Sequence, residues 1–232
     1  MDKNENPVTQ KPEIRYAINL GNPVLAYIND NGELGGISVE LAKRICSKID
    51  RRPKFIVYHS AGEVVKEARA EKWDVAFLAQ DPEREKIIRF TESYITIQGT
   101  VLVHQDAHFL SVKDINTPGV VINVGKGAAY DLWLSRHYTH ADYNRLDSSK
   151  KAIDMFLQGQ GDMAAGIRQP LEKTAALNPG YRVLKDNFTQ INQAVCVPLP
   201  AKDFLPILSR IVKDMKVSGE MDSIITSNLN NL

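Results

Sequence analysis

The chain predicts an α/β protein of two units, the second inserted into the first. Three observations carry this. Apolar runs of strand length alternate with apolar stripes at helical spacing along nearly the whole chain. A turn cluster, Asp114-Ile-Asn-Thr-Pro-Gly119, opens a second strand–helix series mid-chain. The apolar runs near Val101 and Val195 bracket that series and read as the crossings between the units. Unit one is then residues 12–101 plus 198–232, unit two 102–197, and residues 1–11 a polar, flexible leader. One long doubly wound sheet would show the same alternation.

The elements follow in order. Tyr16 to Leu20 reads as a strand, and Asn29-Asp-Asn-Gly32 as a turn. Ile37, Leu41, Ile45 and Ile49 recur on one helical face, with Ala42 and Cys46 beside them. Phe55 to Tyr58 is a strand, Ala61 to Glu71 a helix, and Val75 to Ala79 a strand too short to be a helix of its own. Thr100 to His104 leads out of the first unit as a strand. In the second unit, strand Val120 to Val124 precedes helix Ala128 to His137. Helix Lys150 to Gln158 leads into a buried strand over Asp162 to Gly166, and Gln193 to Pro198 is a further strand. A final helix turns Phe204, Leu208, Ile211 and Met215 inward and stops near Gly219.

Composition narrows the function. Lys plus Arg number 29 against 28 for Asp plus Glu, so the concentrated basic surface that nucleic-acid affinity needs is not expected. No apolar run reaches the ~20 residues of a membrane-spanning helix. Cys46 and Cys196 are too few for a zinc site and read as two buried thiols or a single disulfide. The five histidines show no H-E-x-x-H motif, so neither a catalytic metal nor a cofactor is expected. Met1-Asp-Lys-Asn-Glu-Asn-Pro is polar from the start, and no secretory signal is read there.

The most informative stretch runs from Trp73 to Tyr94. Asp81-Pro82 reads as an N-cap followed by proline in a first helical turn. Arg84 then stands where a capping box would carry Glu or Gln. A cation at that helix end costs from a few tenths to about 1 kcal/mol. Either Arg84 is solvated and pairs with Glu83, Glu85 or Asp81, or an anion completes the site, gripped by the planar guanidinium.

A second feature is Val124-Gly-Lys-Gly-Ala-Ala-Tyr130, where strand, glycine turn and helix start expose backbone N–H groups suited to an anion. The alternative is a plain turn needing glycine for positive φ. The G-x-G and Asp147 suggest a dinucleotide site, but Tyr130 stands at the third glycine position and obstructs close helix packing. No G-K-[ST] follows, so this is not a P-loop. Asp131 is expected to turn away from the mouth.

The Trp-Asp-Val-Ala strand, the Asp-Pro-Glu-Arg turn and Phe90-Thr-Glu-Ser-Tyr94 together resemble the extracytoplasmic solute-binding proteins of bacterial ABC importers, polar amino acid group. Ile14 to Leu25 resembles that family's opening strand and turn. Leu34-Gly-Gly-Ile-Ser-Val-Glu-Leu-Ala42 resembles the entry to its first helix, with Glu40 for the usual Asp, and Val120 to Tyr130 its second-lobe strand. The resemblance implies the two-lobe type II periplasmic binding protein fold, hinged at two crossing strands. It implies a periplasmic monomer that captures a small anionic or zwitterionic solute by lobe closure and delivers it to a membrane permease. It makes Arg84 the clamp for a ligand carboxylate, shared with the amides of Gly127, Ala128 and Ala129. Asn19, Asn22 and Tyr94 fall around the mouth, and Tyr130 would close a wall.

The departures matter equally. Phe77 and Ala79 stand where small hydroxyl residues are usual in the family. The Asp that binds an α-ammonium falls, counting from Asp162, at Ile167, which cannot neutralise one. Arg168 beside it is either a second cation in the site or a solvated surface residue. The ligand expected is a carboxylate-bearing solute, amino acid-like or organic acid. A dehydratase-like enzyme on the same fold and a ligand-sensing module are the alternatives. The enzyme is disfavoured because Ile167 cannot transfer protons.

Overall fold

The structure, a computed structural model, describes residues 11–229. In chain order the elements are β1 (Glu13–Asn19), β2 (Tyr27–Ile28), β3 (Leu34–Gly35), α1 (Ile37–Lys48), β4 (Arg52–Tyr58), α2 (Ala61–Ala68) and β5 (Val75–Ala79). A single 3-10 turn, Arg84–Lys86, leads into the long strand β6 (Ile88–His104). There follow β7 (Val121–Gly125), α3 (Ala129–His137), β8 (Asp142–Leu146), α4 (Ser149–Leu157), β9 (Met163–Ile167), α5 (Arg168–Leu177) and β10 (Tyr181–Val183). The chain closes with β11 (Thr189–Pro198), a 3-10 segment, α6 (Leu205–Val217) and α7 (Glu220–Leu229).

Two units are distinguished. Unit 1 runs up to His59, then Glu63–Ile95, then from Asn192 onward; unit 2 is Ser60–Gly62 and Thr96–Ile191. The chain enters unit 2 within β6 and leaves it within β11, so unit 2 is an insertion. The expected leader lies outside the described residues except for Lys11, whose ammonium pairs with Asp74 at 2.9 Å.

In unit 1, β1 lies parallel to both β4 and β5, with Tyr16 opposite Phe55 and Val75. β11 runs antiparallel to β5, pairing Val195 with Phe77 and Gln193 with Ala79. Alternation along these strands turns Tyr16, Ile18, Val75, Phe77 and Val195 into one core with Leu41 and Ile45 of α1, Leu208 and Met215 of α6, and Met221 of α7. Each such aliphatic side chain contributes about 1.5–3 kcal/mol by leaving water. Gly36, at φ 110°, is obligatory before α1, because a Cβ there would sit 2.5 Å from the Leu25 carbonyl oxygen.

In unit 2, β7 is parallel to β8 and β9, and β9 is antiparallel to β6, with Gly99 opposite Ile167. Strand β10 pairs with β6 as well. Leu102, Phe156, Ala164 and Leu171 form a buried cluster there.

Some elements differ from the sequence reading. Gly219, at φ 79°, stops α6 as expected, yet the chain restarts at once as α7 with Glu220 and Asp222 in its first turn. Strand β8 and helix α5 were not anticipated. Cys46 and Cys196 are both free, buried thiols.

Candidate functional site

Unit 1 places its candidate residues at the carboxyl end of β5. The expected helix after Asp81 does not form. The Asp81 carboxylate accepts from the Glu83 amide at 2.9 Å and its carbonyl from the Glu85 amide at 3.0 Å. After one 3-10 turn the chain becomes β6. A lone turn has almost no macrodipole, so the helix-end penalty expected for Arg84 falls away. What marks Arg84 is burial. It is 2% exposed, and Nη1 donates to the Ala79 carbonyl at 3.0 Å. A guanidinium so far from water keeps its charge only where polar groups or an anion surround it. Burial holds the Cys196 thiol on β11 far above its usual value, with the Arg84 charge pulling the other way.

The neighbours of Arg84 differ in what they can offer a ligand. Phe77 stacks on Tyr16 at 6.0 Å and meets the edge of Tyr94 at 6.3 Å, so its ring belongs to the unit 1 core. Burial pushes the Tyr94 phenol well up, the Ser38 side chain acting in the opposite sense. Asn19 Oδ1 accepts from the Gly21 amide at 2.8 Å, and Asn22 Oδ1 from the Val24 amide at 3.2 Å. Both asparagines therefore build the turn after β1. A groove of about 390 Å³ elsewhere on unit 1 is lined by Ile56, Tyr58, Glu63, Lys66, Glu67 and Lys72, and includes none of the candidate residues.

Unit 2 places its candidates after β7. Gly125 is required by close approach, since a Cβ would meet the Ser149 amide nitrogen at 2.6 Å. Gly127 is required by its φ of 73°. Tyr130 is 2% exposed; its hydroxyl accepts from the Gly125 amide at 3.0 Å and donates to Ser149 Oγ at 2.8 Å. Burial raises that phenol to about 12. The side chain braces the turn from behind.

Asp131 corrects the sequence reading. Helix side chains lean toward the N-terminus, so the Asp131 carboxylate reaches back to the mouth. Oδ2 accepts from the Gly127 amide at 2.8 Å, and Oδ1 from Arg145 Nε at 3.1 Å. The Ala128 amide donates to the Gly125 carbonyl at 3.0 Å. Of the three amides proposed for an anion, Ala129 alone has no hydrogen bond to a described residue.

Ile167 ends β9 at 8% exposure, and Arg168 begins α5. All five guanidinium N–H groups of Arg168 have partners within unit 2. Nε donates to Gln98 Oε1 at 2.5 Å, Nη1 to the Leu184 carbonyl and Glu172, and Nη2 to the Lys185 and Asp186 carbonyls. No donor remains for a ligand. The signal the sequence missed is Gln193, a polar residue only 4% exposed, paired with Ala79 beside Arg84.

Among the described residues no helix is long and apolar enough to cross a membrane, and no His, Cys, Asp or Glu cluster could hold a metal ion. The chain is 22% identical over 181 residues, 76% of its length and 72% of the relative's, to ABC transporter arginine-binding protein 1 of Escherichia coli K12. Its fold matches a Neisseria gonorrhoeae solute receptor for L-cysteine with a TM-score of 0.85 at 21% identity, covering 96% of this chain and 92% of the other. It also matches an amino acid ABC transporter substrate-binding protein of Streptococcus pneumoniae, bound to L-arginine, with a TM-score of 0.83 at 20% identity over 96% and 97% of the two chains. These matches show the type II periplasmic binding protein fold. The model of the bacterial extracellular solute-binding proteins, family 3, covers residues 14–231, and the chain belongs to that family.

Proposed function

We propose that the protein is the periplasmic, monomeric solute-binding component of an ABC importer, and that it captures a small carboxylate-bearing solute for a membrane permease. The buried Arg84 carries this reading. It is a 2% exposed guanidinium at the carboxyl end of a strand, where open α/β sheets bind ligands. Its planar donor fork matches a carboxylate, and in unit 2 the Ala129 amide at the start of α3 is itself a donor suited to an anion. Relatives named for arginine and cysteine support an amino acid or a close analogue.

Turnover is not part of this reading. Ile167 carries no proton, and the Asp131 carboxylate is engaged by Gly127 and Arg145. A thermal-shift screen of amino acids, hydroxy acids and dicarboxylates identifies the ligand, since a solute at 100 times its dissociation constant adds about 2.7 kcal/mol of stability. Arg84→Ala is then expected to lower affinity for that solute by more than a hundredfold, with the melting temperature of the free protein near that of the parent. Binding by Arg84→Ala within a few-fold of the parent would overturn the assignment.

A further inference from the structure

Gln193 is buried on a strand and unused within the protein. It is 4% exposed, its carboxamide makes no hydrogen bond to any described residue, and its polar atoms are not among those closed off from solvent. An amide that reaches solvent and has no partner within the protein can offer both its oxygen and its nitrogen to a ligand. Its direction follows from register. Gln193 lies directly opposite Ala79, and the next pair on that face, Val195 with Phe77, points into the unit 1 core. Gln193 and Ala79 therefore continue the same face one step further, at the carboxyl end of β5. The Ala79 carbonyl is the one that receives Arg84 Nη1. A carboxamide with no partner in the protein thus stands next to a buried guanidinium.

Resting on the reading of Arg84 as the carboxylate clamp, we propose that Gln193 is a specificity-determining contact. Its Oε1 accepts a hydrogen bond from an ammonium or hydroxyl on the carbon adjacent to the carboxylate that Arg84 holds. Ile167 cannot fill this role, and the side-chain oxygens of Asn19 and Asn22 already accept backbone amides. A neutral amide suits the place better than an acid. Glutamate there would pair with Arg84 and displace the ligand carboxylate.

Calorimetry on the parent and on Gln193→Met, an unbranched apolar replacement of similar size, tests this. The probes are L-arginine with its 2-hydroxy and deaminated analogues, and L-cysteine with 3-mercaptolactate and 3-mercaptopropionate. In the set that binds, the parent should favour the amino or hydroxy form over the deaminated one by at least tenfold. Gln193→Met should erase that preference while leaving the deaminated form within twofold. Preference for the amino form alone identifies an ammonium as the donor; equal preference for both identifies either donor. Equal weakening of all three forms, unchanged discrimination, or a parent that binds neither set would each overturn the inference. Arg84→Ala, measured against whichever carboxylate the wider screen finds, tests the clamp separately.

Discussion

Units 1 and 2 each end a strand in a tight turn that presents hydrogen-bond donors, but they arrange charge differently around it. Unit 1 has buried carboxylates at both ends of β5, Asp74 immediately before it and Asp81 on the donor turn after it, where the buried cation Arg84 also sits. The five residues of β5 hold Asp74 roughly 17 Å from that turn. Unit 2 puts its buried carboxylate, Asp131, on the donor turn itself, bonded to the Gly127 amide. Each turn therefore carries a carboxylate; the first also holds a buried guanidinium, whereas Arg145, the cation that pairs with Asp131 at the second, is partly exposed. On the reading proposed for Arg84, unit 1 supplies attraction. Unit 2 supplies shape, through two obligatory glycines and the Tyr130 brace.

After the loss of Arg84, the largest expected effect is on stability and comes from Arg168. Arg168→Ala leaves the Lys185 carbonyl and Gln98 Oε1 without their donor and takes one donor each from the Leu184 and Asp186 carbonyls. It should destabilise the protein by about 2–3 kcal/mol in urea unfolding, with ligand affinity within twofold of the parent. A loss of affinity for anions but not for neutral solutes would instead make Arg168 a ligand cation.

An intermediate effect concerns acid. Desolvation raises the Asp74 pKa, but the hydrogen bonds from Arg15 and Lys11 outweigh it and hold the carboxyl below its usual range. A depressed folded-state pKa contributes stability that is present above the unfolded value of about 3.9 and is lost as pH falls through the folded value. Urea midpoints of the parent should therefore drop below about pH 4, and Asp74→Asn should flatten that part of the profile. An equally steep drop in both proteins would move the acid sensitivity elsewhere.

The smallest effect sharpens the contrast most. Asp131→Asn keeps an oxygen for the Gly127 amide while removing the charge. Arg145, whose side chain is 40% exposed, loses an ion pair worth less than about 1 kcal/mol. Affinity for an anionic solute should rise about two- to fivefold at low salt and converge with the parent at high salt. Unchanged affinity across ionic strength would show that the Asp131 charge does not reach the ligand.

The sequence made the scaffold legible wherever periodicity was strong. Strand β5 and the α1 stripe fall where alternation and 3.6-residue spacing put them. The first half of β6 was hidden because Arg89-Phe-Thr-Glu-Ser-Tyr sets three polar residues in a row between its two aromatics, without period-two alternation, on a half-exposed strand. Helix α5 was hidden because it begins without a side-chain cap, at Arg168-Gln-Pro. Arg84 was visible through its Asp-Pro-Glu-Arg setting, though the helix expected around it was not there. Arg168 looked like a free cation because its acceptors are backbone carbonyls of a distant loop, which carry no side-chain signature. Gln193 could not be seen at all, since a glutamine in a strand looks like a solvent-facing residue until its burial is known.

The loop between β10 and β11 shows what the Arg168 bonds do. Residues 184–188 have no regular structure, yet Thr100 Oγ1 donates to the Leu184 and Asp186 carbonyls, and the Asp186 carboxylate accepts from Ser111 and Val112. The Leu184 and Phe188 amides donate to the carbonyls of Val101 and Gly99. A protease must draw a substrate segment out into an extended form before it can cut. Here that requires breaking a lattice of bonds rooted in β6 and α5. This loop should resist nicking as a strand does, and limited digestion should spare it until the neighbouring strands themselves open.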